Sequence, residues 1–220
     1  MTVDQRGGAR RRPGRPPRSE AGDTKALLQN AALRLFARHG FAGTSIRAIA
    51  QEVGLSESVI YAHFANKQAV FEAVLAEFGP RTHDRGELGP GPAADDPAPY
   101  LLALARTALE EWDREEARLL MSLMARDGLL HSAALQEALS AMRHSVEALF
   151  ERWIEAGRVR RDLGTPQSLA LSFTGPIGLT RIMCLHAEAT EDQRAAARAD
   201  ILDHVATFNR AVFGGATARS

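Results

Sequence analysis

The stretch 40-GFAGTSIRAIAQEVGLSESVIYAHFANK-67 decides how the chain is read. Apolar side chains recur at helical spacing in two short runs, Ile46, Ile49, Ala50 and Val53, then Ile60 and Phe64. Between them stands Gly54-Leu55-Ser56, a glycine where a helix end wants a left-handed residue and a hydroxyl suited to cap the next helix. Thr44 and Ser45 offer the cap of the first run. Two short helices across a tight turn form a helix-turn-helix, whose second helix fits a DNA major groove.

The outer side of that second helix carries the chemistry. With Ile60 and Phe64 turned inward, Ser58, Val59 and Ala62 point away, flanked by Tyr61 and His63. Small side chains let a helix press deep into the groove, where Val59 suits a thymine methyl and Ser58 a base edge. Glu57 either accepts from cytosine N4 or merely complements the helix dipole. Tyr61, Thr44 and Lys67 bring the hydroxyls and charge that phosphates want, and Lys67 stands at a helix start, where free N–H groups also favour anions. Plain surface roles for Tyr61 and His63, and a capping role for Thr44, compete with these readings.

Around this motif the chain reads as all-α, with about nine helices. Leu28, Ala32, Leu35 and Phe36 stripe a helix that begins near Thr24 and stops at Gly40, and Asn66 caps another carrying Val70, Phe71, Val74, Leu75 and Phe78. Residues 79–99 hold five prolines and four glycines, the signature of a linker. Asp96-Pro97 is a cap followed by a helix-start proline, before Leu101, Leu104, Ala105, Ala108 and Trp112. A helix with Leu120, Leu123 and Met124 follows, then one over about 132–156, and then one opened by Thr165-Pro166 that Gly175-Pro176 should kink or thin. Thr190-Glu191-Asp192-Gln193 is a capping box for the last helix. The expected organisation is a disordered basic arm at 1–22, a DNA-binding domain at 23–78, the linker at 79–99, and a helical effector-binding and dimerisation domain at 100–215.

Composition agrees with a globular chain: 220 residues, 45% hydrophobic and 25% charged, with a formal net charge of zero. The zero hides a segregation. Six arginines against Asp4 and Glu20 leave residues 1–22 at +4, and sixteen basic against twenty acidic side chains leave 81–220 at −4. Within the arm, Arg11, Arg12, Arg15 and Arg18 stand among Gly and Pro in a pattern like an AT-hook core, which lays arginine in a narrow minor groove; nonspecific phosphate binding is the simpler alternative.

A single cysteine, Cys184, excludes an internal disulfide framework and any multi-cysteine metal site, and fits a cytoplasmic setting. It reads as a buried small side chain, with redox sensing as the rival. No secretory leader or membrane-spanning stretch is expected. HExxH, GxSxG, P-loop and Rossmann patterns are all missing, so the chain is expected to be neither an enzyme nor a carrier of a metal or cofactor.

The run from Gly40 to Lys67 closely resembles the DNA-binding domain of TetR-family transcriptional regulators, over roughly residues 23–70. The resemblance implies Arg47 and the second-helix residues near bases, and Thr44, Tyr61, His63 and Lys67 near the backbone. Ser58 stands where many members have glycine or another residue suited to close approach, which bears on insertion depth. One recognition helix reads too few base pairs to find an operator, so a homodimer on a palindromic duplex is expected. In the family the last two long helices form the dimer contact, here about 166–189 and 190–213, with Gly175, Gly178, Ile201, Val205, Phe208 and Val212 as candidates; packing within the chain is the alternative. The family also implies a pocket for a small, mainly hydrophobic effector that lowers operator affinity. Trp112, Met121, Met124, Phe150, Trp153, Phe173 and Met183 are candidate linings or plain core, and His131, His144 and His186 candidate polar contacts. A constitutive or protein-regulated DNA binder, or an activator, remains open.

Overall fold

In a computed structural model, residues 18–78 and 95–214 are described. Among them lie nine α-helices and no strand: α1 Arg18–Gly43, α2 Ile46–Glu52, α3 Glu57–His63, α4 Lys67–Phe78, α5 Pro97–Trp112, α6 Glu115–Arg126, α7 Ala133–Glu155, α8 Pro166–Cys184 and α9 Glu191–Phe213. The fold is all-α, as expected. Arg11, Arg12 and Arg15 fall outside the described residues. Arg18 opens α1, so the helix begins several residues before the expected end of the arm.

The α1 helix breaks at Gly40, whose φ of 74° and ψ of 167° suit glycine alone. Its inward residues Leu28, Ala32 and Phe36 meet Ile49 and Ala50 of α2, Ile60 of α3, and Val70, Phe71 and Val74 of α4. Phe36, Phe41 and Phe71 form an aromatic triad with centroids 4.9–5.7 Å apart. Buried Gln29 donates from Nε2 to the Ala73 carbonyl at 3.0 Å, tying α1 to α4. Leu120, Leu123 and Met124 of α6 belong to this same core. The head therefore extends past residue 78 in space, although residues 79–119 separate Leu120 from it in sequence.

The second core joins α5, α7, α8 and α9 through Leu101, Ala105, Leu149, Phe150, Trp153, Phe173, Ile201 and Val205. Phe150 stacks edge-on against Trp153 at 5.2 Å and Phe208 at 5.9 Å. The α5 helix starts at Pro97 behind Asp96, inside the stretch assigned to the linker. Ser132 and Thr165 cap α7 and α8, and the Thr190–Gln193 box closes reciprocally at 3.2 and 2.9 Å. The α8 helix continues through Gly175-Pro176, where Pro176 leaves the carbonyl of the exposed Ser172 without its N–H partner. The Asp113 carboxylate, just after α5, forms ion pairs with Arg118, Arg194 and Arg198, which binds the start of α9 to the α5–α6 turn.

Candidate nucleic-acid interface

Ser45 caps α2, its Oγ accepting from the Ala48 amide at 3.0 Å. At the other end Gly54 takes φ 68°, and the Gly54 and Leu55 amides donate back to Gln51 and Ala50 at 3.1 and 2.9 Å. This paired closure fixes how α3 leaves α2. Ser56 occupies the cap position of α3, but its hydroxyl pairs with Ser58 Oγ at 2.7 Å instead of a backbone amide.

The α3 helix is buried only through Ile60, and the following Phe64 is buried too. Glu57, Ser58, Tyr61 and Ala62 are exposed, with Tyr61 at 55%, while Val59 and His63 are half-buried. Arg47 is exposed on α2 and makes no ion pair among the described residues. Arg47, Glu57 and Tyr61 thus carry side-chain donors and acceptors at the surface, while the Ser58 hydroxyl is already paired with Ser56.

Two expected phosphate contacts sit differently. Thr44 is 3% exposed, and its hydroxyl donates inward, to Gly40 O at 2.9 Å with Leu35 O at 3.2 Å. It neither caps α2 nor presents itself to a phosphate, because the break at Gly40 leaves carbonyls that need a donor. Lys67 is half-buried over the Phe41 ring, 4.4 Å from its centroid, and Nζ donates to the carbonyls of Phe41 and Thr44 at 2.8 and 2.9 Å. One ammonium proton remains for a phosphate. Asn66 caps α4 as read, accepting from Ala69 at 2.9 Å. Sequence reasoning passed over Phe41 and Asp127: the Phe41 amide donates to Asp127 Oδ2 at 2.8 Å, a link across 86 residues that no local pattern signals.

The residues assigned to a pocket do not share one cavity lining. Phe150, Trp153 and Phe173 are buried in the second core, and Met124 is buried against the head. Trp112 packs at the edge of the second core, and Met183 is 64% exposed. Met121 borders a groove of about 400 Å³ with Ser122, Ile182, His186 and Glu188. His131 and His144 are exposed. Of the dimer candidates, Ile201, Val205, Phe208 and Val212 are buried within their own chain. Gly175 is exposed and Gly178 half-exposed on α8, where Leu171, Leu179, Ile182 and Met183 form an uncovered apolar stripe. Cys184 is half-buried against the second core. Among the described residues no helix is long and apolar enough to cross a membrane, and no cluster of metal-binding side chains occurs.

The profile of the family described as bacterial regulatory proteins, tetR family, matches residues 28–74. The transcriptional repressor SCO4008 of Streptomyces coelicolor is 46% identical over 52 residues, 24% of this chain and 27% of that protein's own length. The regulatory protein RaaS of Mycobacterium tuberculosis is 29% identical over 180 residues, 79% of this chain and 77% of its own. SmeT, the repressor of the Stenotrophomonas maltophilia multidrug efflux pump SmeDEF, has the same fold at a TM-score of 0.67 and 20% identity, over 88% of this chain and 92% of that one. SmeT has also been solved with triclosan.

Proposed function

We propose that this chain, whose residues 28–74 match the tetR family of bacterial regulatory proteins, is a sequence-specific transcriptional repressor, released from a palindromic operator by a small, mainly hydrophobic ligand. The observation that carries the reading is the outward face of α3, where Glu57, Ser58 and Tyr61 stand exposed on a helix held rigidly by Ile60 and the Gly54 turn. Arg47, Tyr61 and the remaining Lys67 proton take phosphates or base edges, while Val59 and His63 lie at the sides. Thr44 acts only by bracing this surface.

Two copies are needed, and the α8 stripe is where they meet. Leu171, Leu179, Ile182 and Met183 expose apolar surface that water disfavours, and the glycines among them allow close helix approach. The basic arm adds phosphate binding. Affinity falls with slope about 0.9 per neutralised phosphate on a log–log salt plot, so deleting residues 1–17 flattens it.

Genomic DNA pull-down followed by footprinting tests the reading. Protected half-sites one helical turn apart are expected; failure to retard any duplex in dilute buffer refutes it. Release by a ligand is supported by SmeT, whose fold is shared and which holds triclosan. The packed aromatic cluster of Phe150, Trp153, Phe173 and Phe208 favours a second reading, a dimeric DNA binder that answers to no small molecule. DNA retention measured with and without apolar compounds separates the two.

A further inference from the structure

The inward stripe of α8 runs through Leu169, Ala170, Phe173 and Ile177, all buried. One turn later the inward position is not aliphatic but Arg181. Its guanidinium carbon lies 4.4 Å from the centroid of the Trp112 ring, at the end of α5. Trp112 and the neighbouring Cys184 both pack against the second core, so the surroundings are apolar.

What is missing there is a countercharge. Arg118, Arg194 and Arg198 all meet Asp113, but Arg181 makes no ion pair or hydrogen bond from its side chain among the described residues, and its Nη1 is buried without a partner. Burial with no compensating carboxylate pulls its pKa down to about 10, still far above neutrality, so the group stays cationic. The aromatic face offsets part of the lost hydration, but it leaves Nη1 unsatisfied. Arg181 as a whole is half-buried, so the unmet cost is concentrated at Nη1, a buried cationic donor that an incoming anion would satisfy.

The geometry points to Arg181 and Trp112 as the polar end of an effector site for an amphipathic carboxylate. The planar guanidinium edge matches the two oxygens of a carboxylate in a forked pair. The ring covers one side of the pair, and the apolar body of the acid lies along Trp112 and α8. This rests on the ligand-controlled reading above and supplies what that reading lacked, the charge of the ligand.

The test uses the full chain with octanoate and phenylacetate as probes, against octanamide and phenylacetamide at equal ionic strength. Binding is read by calorimetry and tryptophan fluorescence. The acids are expected to bind at least tenfold tighter than the amides. Arg181→Met is expected to erase that preference while melting no lower than the parent, since it removes an unpaired buried charge. Arg181→Lys, which keeps the charge but not the fork, is expected to retain part of the preference and serves if the methionine variant does not fold. Equal binding of acids and amides, or a preference that survives Arg181→Met, overturns the proposal. Release of bound DNA by triclosan while no carboxylate binds also overturns it but leaves ligand control standing; no response to either class removes both.

Discussion

The Phe41 amide donates to the Asp127 carboxylate at 2.8 Å, so the residue that follows the break in α1 is pinned to the one that ends α6. Charge-assisted hydrogen bonds of this kind contribute about 1.5–3 kcal/mol. Asp127→Ala is expected to destabilise the protein by roughly that amount, and Asp127→Asn by less because an amide oxygen can still accept. Denaturant midpoints at constant m-value check both.

Gly40 stands at the same joint. A Cβ there would lie 3.0 Å from Asp127 Oδ1, on a backbone conformation that side chains avoid. Gly40→Ala is expected to cost about 1–3 kcal/mol. A neutral result in thermal unfolding would show that the joint is slack.

Thr44 and Tyr61 separate bracing from contact. Thr44→Val removes the hydroxyl that serves Gly40 O, costing roughly 1–2 kcal/mol of stability, with DNA affinity per folded molecule unchanged. Tyr61→Ala is expected to leave stability alone, its side chain being largely exposed, and to weaken binding to all duplexes. Lys67→Ala should do both, since Nζ also holds the carbonyls of Phe41 and Thr44. Titration by gel retardation beside melting curves distinguishes the three.

On α8, Leu179→Glu combined with Met183→Glu is expected to give a folded single subunit with little operator affinity, because both side chains are more than half exposed. Phe208→Ala should instead unfold the protein by about 3–5 kcal/mol, as a buried aromatic does. Sedimentation of the double variant as a dimer would move the contact elsewhere.

Glu188 gives a pH dependence. The Ser122 hydroxyl, donating at 2.7 Å, holds its pKa below the ordinary 4.5, with smaller help from a backbone hydrogen bond and from His186. A depressed carboxylate adds stability above its unfolded pKa and loses it as pH falls through the folded value. Parent and Glu188→Gln melting curves should therefore differ most above about pH 4.5 and converge in stronger acid; a constant gap across that range would sink the assignment.

The helices of the head were legible because their signals are local. Ser45, Gly54 and Asn66 each cap or close a neighbouring turn, and Ile60 and Phe64 mark the inner side of α3 by spacing alone. Thr44 was misplaced because its hydroxyl answers a carbonyl shortage at Gly40, which depends on a backbone break and not on neighbouring residue types. The α9 stripe shows the other limit: periodicity reveals that Ile201, Val205 and Phe208 are buried, but not whether the burying surface belongs to the same chain. Arg181 escaped notice for a related reason, since a charged residue on an apolar stripe looks like an interruption until its surroundings are known.

Leu120, Leu123 and Met124 form a wall of the head although residues 79–119 separate them from it in sequence. Exchanging recognition modules between relatives by cutting just after residue 78 would strip the transplant of its wall and leave a mismatched one behind. A workable chimera has to carry α6 along with residues 18–78, or resculpt its contact side for the incoming guest.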